Sequence, residues 1–221
     1  MESALGTLDA LKPRQLEVAK YVLGAYGGAL NPLDLLAVAA IHRSMNLVAG
    51  FAEMIRARRI LCAAPLLRLQ VDNCLRFSEA FIVEDPHEFA LQVLSGTPVA
   101  KLKDRNGVLM RDSHLVDVLS ESVPWVSSVY KHTSGFIHLS EKHIFATAKA
   151  GEDPDSREIR MMISDTDAFY SVDLHLEAIE AFIEATNVLL RYVEGWGFTK
   201  DNPEAIAELK KREMRSSQGE S

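Results

Sequence analysis

The stretch Pro65-Leu-Leu-Arg68-Leu-Gln-Val-Asp72-Asn-Cys-Leu-Arg76-Phe-Ser-Glu79-Ala-Phe-Ile82 reads as one helix with two apolar sides and a charged stripe between them. Leu67, Val71, Cys74, Leu75, Phe81 and Ile82 recur at three- and four-residue spacing, which places them on one helical face. Leu66, Leu69, Phe77 and Ala80 add a second apolar side, so this helix is predicted to be central and largely buried. Arg68, Asp72, Arg76 and Glu79 follow at spacings of four, four and three. Alternating charge at that spacing is most often a solvated ladder of ion pairs, and the pattern favours that role. The apolar flanks also allow a narrow charged strip lining an internal cleft, where Arg68 would bind an anion or hold His138.

Helical punctuation continues outward from this segment. Asn31-Pro32 places a cap residue before a proline at the first helical position, where the missing N–H costs nothing. Apolar residues from Leu36 to Ile55 then mark a long helix. Pro65 is read as the restart of the next one, after a break at residues 61 to 64. Shorter helices are predicted over 13 to 25, 87 to 94 and 113 to 119, with turns at Ser95-Gly96-Thr97-Pro98 and Arg105-Asn106-Gly107. Pro124 opens a helix expected to run to about His138.

The period then changes. Lys142 to Ala148 and Arg157 to Ser164 are short β-tolerant runs separated by a Gly-Glu-Asp-Pro-Asp turn, the pattern of a hairpin. Val172 to Val193 is amphipathic, with Leu176, Ile179, Ile183, Leu190 and Val193 inward and Asp173, Glu177, Glu180, Glu184 and Arg191 outward. Gly195-Trp196-Gly197 is expected to end it. A last helix over Pro203 to Met214 should fade into a mobile polar tail. The predicted fold class is mainly α: a helical bundle with one late β-hairpin. Residues 1–200 make one domain, with the hairpin near 142–164, and residues 201–221 a terminal helix and tail.

Composition narrows the function classes. Of 221 residues, 48% are hydrophobic and 25% charged, ordinary globular values. The formal charge of −7 opposes broad attraction to nucleic acid or anionic lipid. Cys62 and Cys74 make no disulfide framework; each sits in an apolar helical context suited to a small buried hydrophobe. No secretory signal is visible, and the apolar run Leu33 to Ile41 is too short for a membrane span. The expectation is a soluble cytoplasmic protein that engages no membrane.

The chemistry-bearing residues concentrate in Tyr130-Lys-His-Thr-Ser-Gly-Phe-Ile-His138-Leu-Ser-Glu-Lys-His143, which holds three of the seven histidines. If the helix from Pro124 reaches His138, then Ser127, Lys131, Ser134 and His138 share one stripe, flanked by His132. His138 would serve in general acid–base chemistry, being the side chain matched to neutral pH. The plainer role is structural: Ser134 and His138 closing hydrogen bonds at a helix C-terminus, where histidine also suits the dipole. Tyr130, His132, Arg68, Asp72 and Arg76 are the candidate binding residues. His42 pairs with Asn46 on one helix face, His175 falls inward as a core histidine, and His114 belongs to a helix start. No histidines and carboxylates stand at metal-ligand spacing, and neither a phosphate-cradling glycine loop nor a Gly-x-Ser-x-Gly elbow occurs. No cofactor is called for.

Several segments together resemble a known family: His42-Arg43-Ser44 on the long early helix, Pro65-Leu-Leu-Arg68, Tyr130-Lys-His-Thr-Ser134-Gly-Phe-Ile-His138, and the late hairpin and helix. They are similar to bacterial helical proteins of the DUF5677 type, within the wider HEPN-like group, over about residues 30 to 195. The resemblance implies a homodimeric, HEPN-like helical bundle acting in a bacterial stress or defence system. It would work as a ligand-binding or protein-interaction module, with an operon-encoded protein partner or a small-molecule anion. It also implies the alternative of a metal-independent endoribonuclease acting on RNA. Ribonuclease members carry an arginine four to six residues before a histidine. Here His138 matches the histidine, but Lys131 stands in the arginine's place, a point charge without the guanidinium fork.

Overall fold

A capping box opens the first long helix of this computed structural model, which describes residues 1–151, 157–167, 169–205 and 208. The Asn31 side chain accepts from the N–H of Asp34, while the Asp34 carboxylate accepts from the Asn31 N–H at 2.7 Å. Helix α3 (Pro32–Arg56) is preceded by α1 (Glu2–Asp9) and α2 (Leu11–Gly24) and followed by α4 (Ile60–Ser78). Then come α5 (Pro86–Leu94), α6 (Asp112–Ser122), α7 (Trp125–Ser134) and α8 (Glu141–Thr147). Strands β1 (Ala148–Ala150) and β2 (Ile159–Met161) pair antiparallel, and α9 (Val172–Asp201) closes the described fold. The mainly helical bundle with one late hairpin is therefore what the chain adopts.

Helix α4 is central, packed against α3, α6, α7 and α9. Phe51 of α3 stacks on Phe182 of α9 with ring centroids 4.3 Å apart, in a core that also takes Leu67, Val71, Leu75 and Leu189. A buried polar layer crosses it. Ser44 Oγ accepts from Gln15 Nε2 at 2.6 Å and from Gln70 Nε2 at 2.7 Å, and Gln70 also donates to Thr186 at 3.0 Å. Four helices are thereby held in one register, because a buried amide that loses its partner costs about 1–3 kcal/mol.

Several boundaries differ from the sequence expectation, each for a tertiary reason. Helix α1 was not anticipated; Leu5 and Leu8 are fully buried and anchor it to the core. Helix α4 begins five residues before Pro65, because Asp167 caps it from across the fold. The Asp167 carboxylate accepts from the Leu61 N–H at 3.0 Å, and its own N–H donates to the Arg58 carbonyl at 2.9 Å. Pro65 therefore sits inside the helix. Cys62 is exposed there, whereas Cys74 is buried, and burial pushes its thiol up to about 12.

Helix α9 does not stop at Gly195-Trp196-Gly197 but continues to Asp201. A Cβ at Gly197 would fall 2.5 Å from the Tyr21 ring, so the glycine admits a close approach of α2 rather than ending the helix. The extra turns bury Lys200, whose Nζ donates to Asp34 at 2.9 Å and to the Val22 carbonyl at 3.0 Å. Trp196 Nε1 donates to the other Asp34 oxygen at 2.7 Å. By length and a mean hydropathy of 1.4, α3 is long and apolar enough to cross a membrane, unlike the short run within it considered above. In this fold its apolar residues Leu33, Ala37, Ile41, Val48 and Ile55 lie in the core.

The hairpin is shorter than expected. Residues 141 to 147 form α8 rather than strand, started by Ser140, which accepts from the Lys142 N–H. The expected turn falls mostly, and the terminal helix and tail almost wholly, outside the described residues.

Lys200 and Asp34 have side chains 2% and 0% exposed, so removing one charge strands the other without water. Replacing Lys200 by Met should lower unfolding free energy by about 3–5 kcal/mol, read from urea melts at neutral pH. A change below about 1 kcal/mol would show that the pair is not buried in solution.

Candidate functional site

The charged stripe that runs along α4 to Glu79 faces three other helices. Arg43 of α3 donates to Asp72 at 3.0 Å, and Arg76 lies 3.3 Å from the other Asp72 oxygen. Arg76 also reaches Glu79 at 3.2 Å and makes a short bond to Asp112 of α6. Arg68 lies 3.6 Å from the second Asp112 oxygen, and its guanidinium sits 3.5 Å over the ring centroid of Tyr130 on α7. The Tyr130 hydroxyl donates to Asp112 at 2.9 Å. The Arg68, Asp72 and Arg76 side chains are 13%, 19% and 29% exposed and Glu79 is fully buried, so the expected ladder of ion pairs is present but is partly withdrawn from water and extended to other helices. Apolar residues on both sides draw α4 into the core, and its charges, reduced in hydration, are paired across helices.

Asp112 is the hub, and its position is set by the preceding loop. Asp104 Oδ1 accepts from the N–H groups of Asn106 and Val108 at 2.9 and 2.8 Å, a tight Asx turn. Its other oxygen meets His114 Nε2 of α6 at 2.9 Å, which ties the turn to the first turn of that helix. Burial opposes ionisation of Asp112, but the Tyr130 hydroxyl and the Arg76 and Arg68 guanidiniums hold its carboxyl below the usual range. The Tyr130 hydroxyl is pushed up, by burial first and then by its bond to Asp112.

Glu79 responds in the opposite sense. Burial raises its carboxyl to about 8, outweighing the attraction of Arg76, and the Asp72 and Asp112 charges add to the rise. Its second oxygen has no partner among the described residues. Below about 8 the proton on Glu79 leaves three guanidiniums, those of Arg43, Arg68 and Arg76, facing two carboxylates. The cluster then carries one net positive charge. Beside it lies a cavity of about 170 Å³, lined by Leu36, Ala39, Ala40, Arg43, Asn73, Arg76 and Phe77. Two arginines of the cluster thus reach a small, mostly apolar chamber.

The second expected constellation is not assembled. Helix α7 ends at Ser134, so His138 lies past the helix and not on a stripe with Lys131. The Ser134 hydroxyl donates to the Tyr130 carbonyl one turn back at 2.7 Å, not toward His138. Lys131, His132 and His138 are exposed, with no hydrogen bond or ion pair to any of them among the described residues. Arg68 meets Asp112 and Tyr130 rather than His138. The C-terminal capping role expected for His138 is therefore corrected as well. His132 stands at the rim of a separate cleft of about 250 Å³ between α4, α7 and α9.

Of the named binding residues, the structure brings together Arg68, Asp72, Arg76 and Tyr130. Arg43 and Asp112 complete the cluster but were not singled out, since nothing local distinguishes a helix-surface arginine or a helix-start aspartate. His42 does pair with Asn46, through its carbonyl at 2.8 Å, and His175 is buried with Nδ1 2.8 Å from the Ser171 carbonyl. No group of three or more metal-binding side chains converges among the described residues.

Two outcomes follow from this geometry. A carboxyl raised from 4.5 to about 8 on folding binds a proton more tightly in the folded state. Its stabilisation is complete below 4.5 and is lost as pH rises through about 8. Wild-type melting temperature should therefore fall across that window, and Glu79→Gln should flatten the fall; a parallel profile in the variant would refute the burial of Glu79. His138→Ala, by contrast, should leave unfolding free energy within about 0.5 kcal/mol of wild type. No protein family, curated protein or solved structure matches this chain, so the cluster is interpreted from its own geometry.

Proposed function

We propose that the chain is a ligand-binding module whose cross-helix arginine cluster takes a small oxyanion in the chamber between α3 and α4. The observation that carries this is the pair Arg43 and Arg76 lining one cavity, beside the fully buried Glu79, whose carboxyl burial pushes up to about 8. Its neutrality leaves guanidinium charge uncompensated next to a cavity that Arg43 and Arg76 line. A chamber of about 170 Å³ is smaller than a drug-sized site and fits a phosphate or a short carboxylate. Arginine is also the side chain whose planar fork suits such groups. The HEPN-like resemblance agrees with a binding role within a bacterial stress or defence system.

Less supports an endoribonuclease using His138 and Lys131. A general base is ordinarily held in place by an orienting group, and neither side chain has one within the described chain. The two proposals separate in one set of measurements. Calorimetric titration with inorganic phosphate should show binding to wild type, weaker above the Glu79 value of about 8 than below it. Arg43→Gln, at a half-exposed position, should weaken binding about tenfold while the helical circular dichroism stays that of wild type. No binding of phosphate or citrate, together with chelator-insensitive cleavage of an RNA pool that His138→Ala abolishes, would replace the binding role with the ribonuclease one.

A further inference from the structure

Helices α7 and α9 both pack on α4, and a cleft of about 250 Å³ remains between them. Small side chains leave it open. Ala64 of α4 and Ala178 and Ala181 of α9 each give it only a methyl group, so nothing fills the wedge between the three helices. Ile60 and Leu67 reach it from the hydrophobic core, and Leu174 joins them from α9. Phe136, just past the end of α7, adds an aromatic ring. None of these residues lines the chamber of Arg43 and Arg76, so the two spaces are separate.

The polar groups around the cleft are few. Thr133 is already satisfied, its hydroxyl donating to the Val129 carbonyl at 2.6 Å. Glu177 and His132 have no hydrogen bond or ion pair among the described residues. Glu177 is the one acid in the described lining, which holds no lysine or arginine. Asp173 and Glu180 lie about one turn to either side of it along α9, both exposed and likewise without an ion pair among the described residues. Lys131, beside His132, and Lys142, whose Nζ lies 5.5 Å from the Phe136 ring centroid, stand outside the lining.

We propose that this cleft is a second binding site, for a small organic cation with an apolar ring, whose ammonium pairs with Glu177. Size sets the ring. An apolar cavity of about 150 Å³ takes benzene, so 250 Å³ holds one or two fused rings and a short carbon arm. Charge sets the other end, because the free carboxylate on the α9 wall attracts a cation and repels an anion. An ion pair at an exposed side chain contributes little, so the buried apolar body supplies most of the binding. Glu177 therefore selects among ligands of one shape rather than holding them. His132, on the α7 wall, is available to a ring N–H.

The test uses tryptamine, with indole-3-propionate as an anionic counterpart of the same ring and similar length. In methyl NMR of the full chain, tryptamine should shift the Ile60, Leu67 and Leu174 methyl signals saturably, with a Kd on the order of 1 mM. Indole-3-propionate should bind about fivefold more weakly, since Glu177 attracts one ligand and repels the other. Glu177→Gln, at an exposed position, should bring the two within about twofold of each other. Ala178→Leu, which fills the cleft, should weaken tryptamine binding about tenfold while the helical circular dichroism stays that of wild type. No saturable shift up to about 20 mM tryptamine overturns the proposal. So does equal binding of amine and acid to wild type, or a preference that survives in Glu177→Gln. Tryptamine binding that a folded Ala178→Leu variant leaves unchanged also overturns it. Phosphate titration of Glu177→Gln should match wild type, so a failure here is separable from a failure of the anion site.

Discussion

Charges on a helix packed among four others, with their hydration reduced, are the constraint from which the rest of this structure follows. Helix α4 is packed against α3, α6, α7 and α9; its Arg68, Asp72 and Arg76 are partly withdrawn from water, and Glu79 just past its end is fully so. Withdrawing an ion from water costs several kcal/mol unless a partner of opposite charge replaces the solvent. The partners come from three other helices: Arg43, Asp112 and Tyr130. At Glu79 burial outweighs the attraction of Arg76, and the carboxyl is pushed up to about 8.

The other polar groups in the interior obey this logic with different partners. Asp34 serves twice, closing the α3 cap with one face of its carboxylate and pairing with Lys200 of α9. One residue thereby fixes both the start of one helix and the docking of another, 166 positions apart. The Gln15, Ser44, Gln70 and Thr186 layer does for neutral groups what that pair does for charges. Such contacts contribute little net stability over an apolar alternative, but a shifted register would leave each of them unpaired. The late hairpin is the exception: among the described residues, Ile159 and Met161 stay exposed.

Much of the architecture was legible in the residues. Asn31-Pro32, the three-and-four spacing of the central helices and the amphipathic run from Val172 carry their own period and caps, which are local properties. What escaped was decided at a distance. Pro65 marks a helix start by every local rule, but the Asp167 carboxylate supplies a cap to an earlier one. Gly195 and Gly197 look like a stop, but Gly197 is the small residue that lets Tyr21 pack close. Lys142 to Ala148 has β-tolerant residues, yet Ser140 caps a short helix over most of it.

By itself, the sequence determined the helical class, the late hairpin and the stripe of Arg68, Asp72 and Arg76, because periodicity and capping act within a few residues along the chain. Whether that stripe would meet water or other helices, and whether His138 would join Lys131 or stand apart, depended on the burial of α4 and on where α7 stops. Those are tertiary facts: a side chain's charge state and partners are set by the dielectric and by groups brought near from remote parts of the chain. Only the packed structure therefore placed Asp112 between two arginines and buried Glu79 beside them, raising its carboxyl.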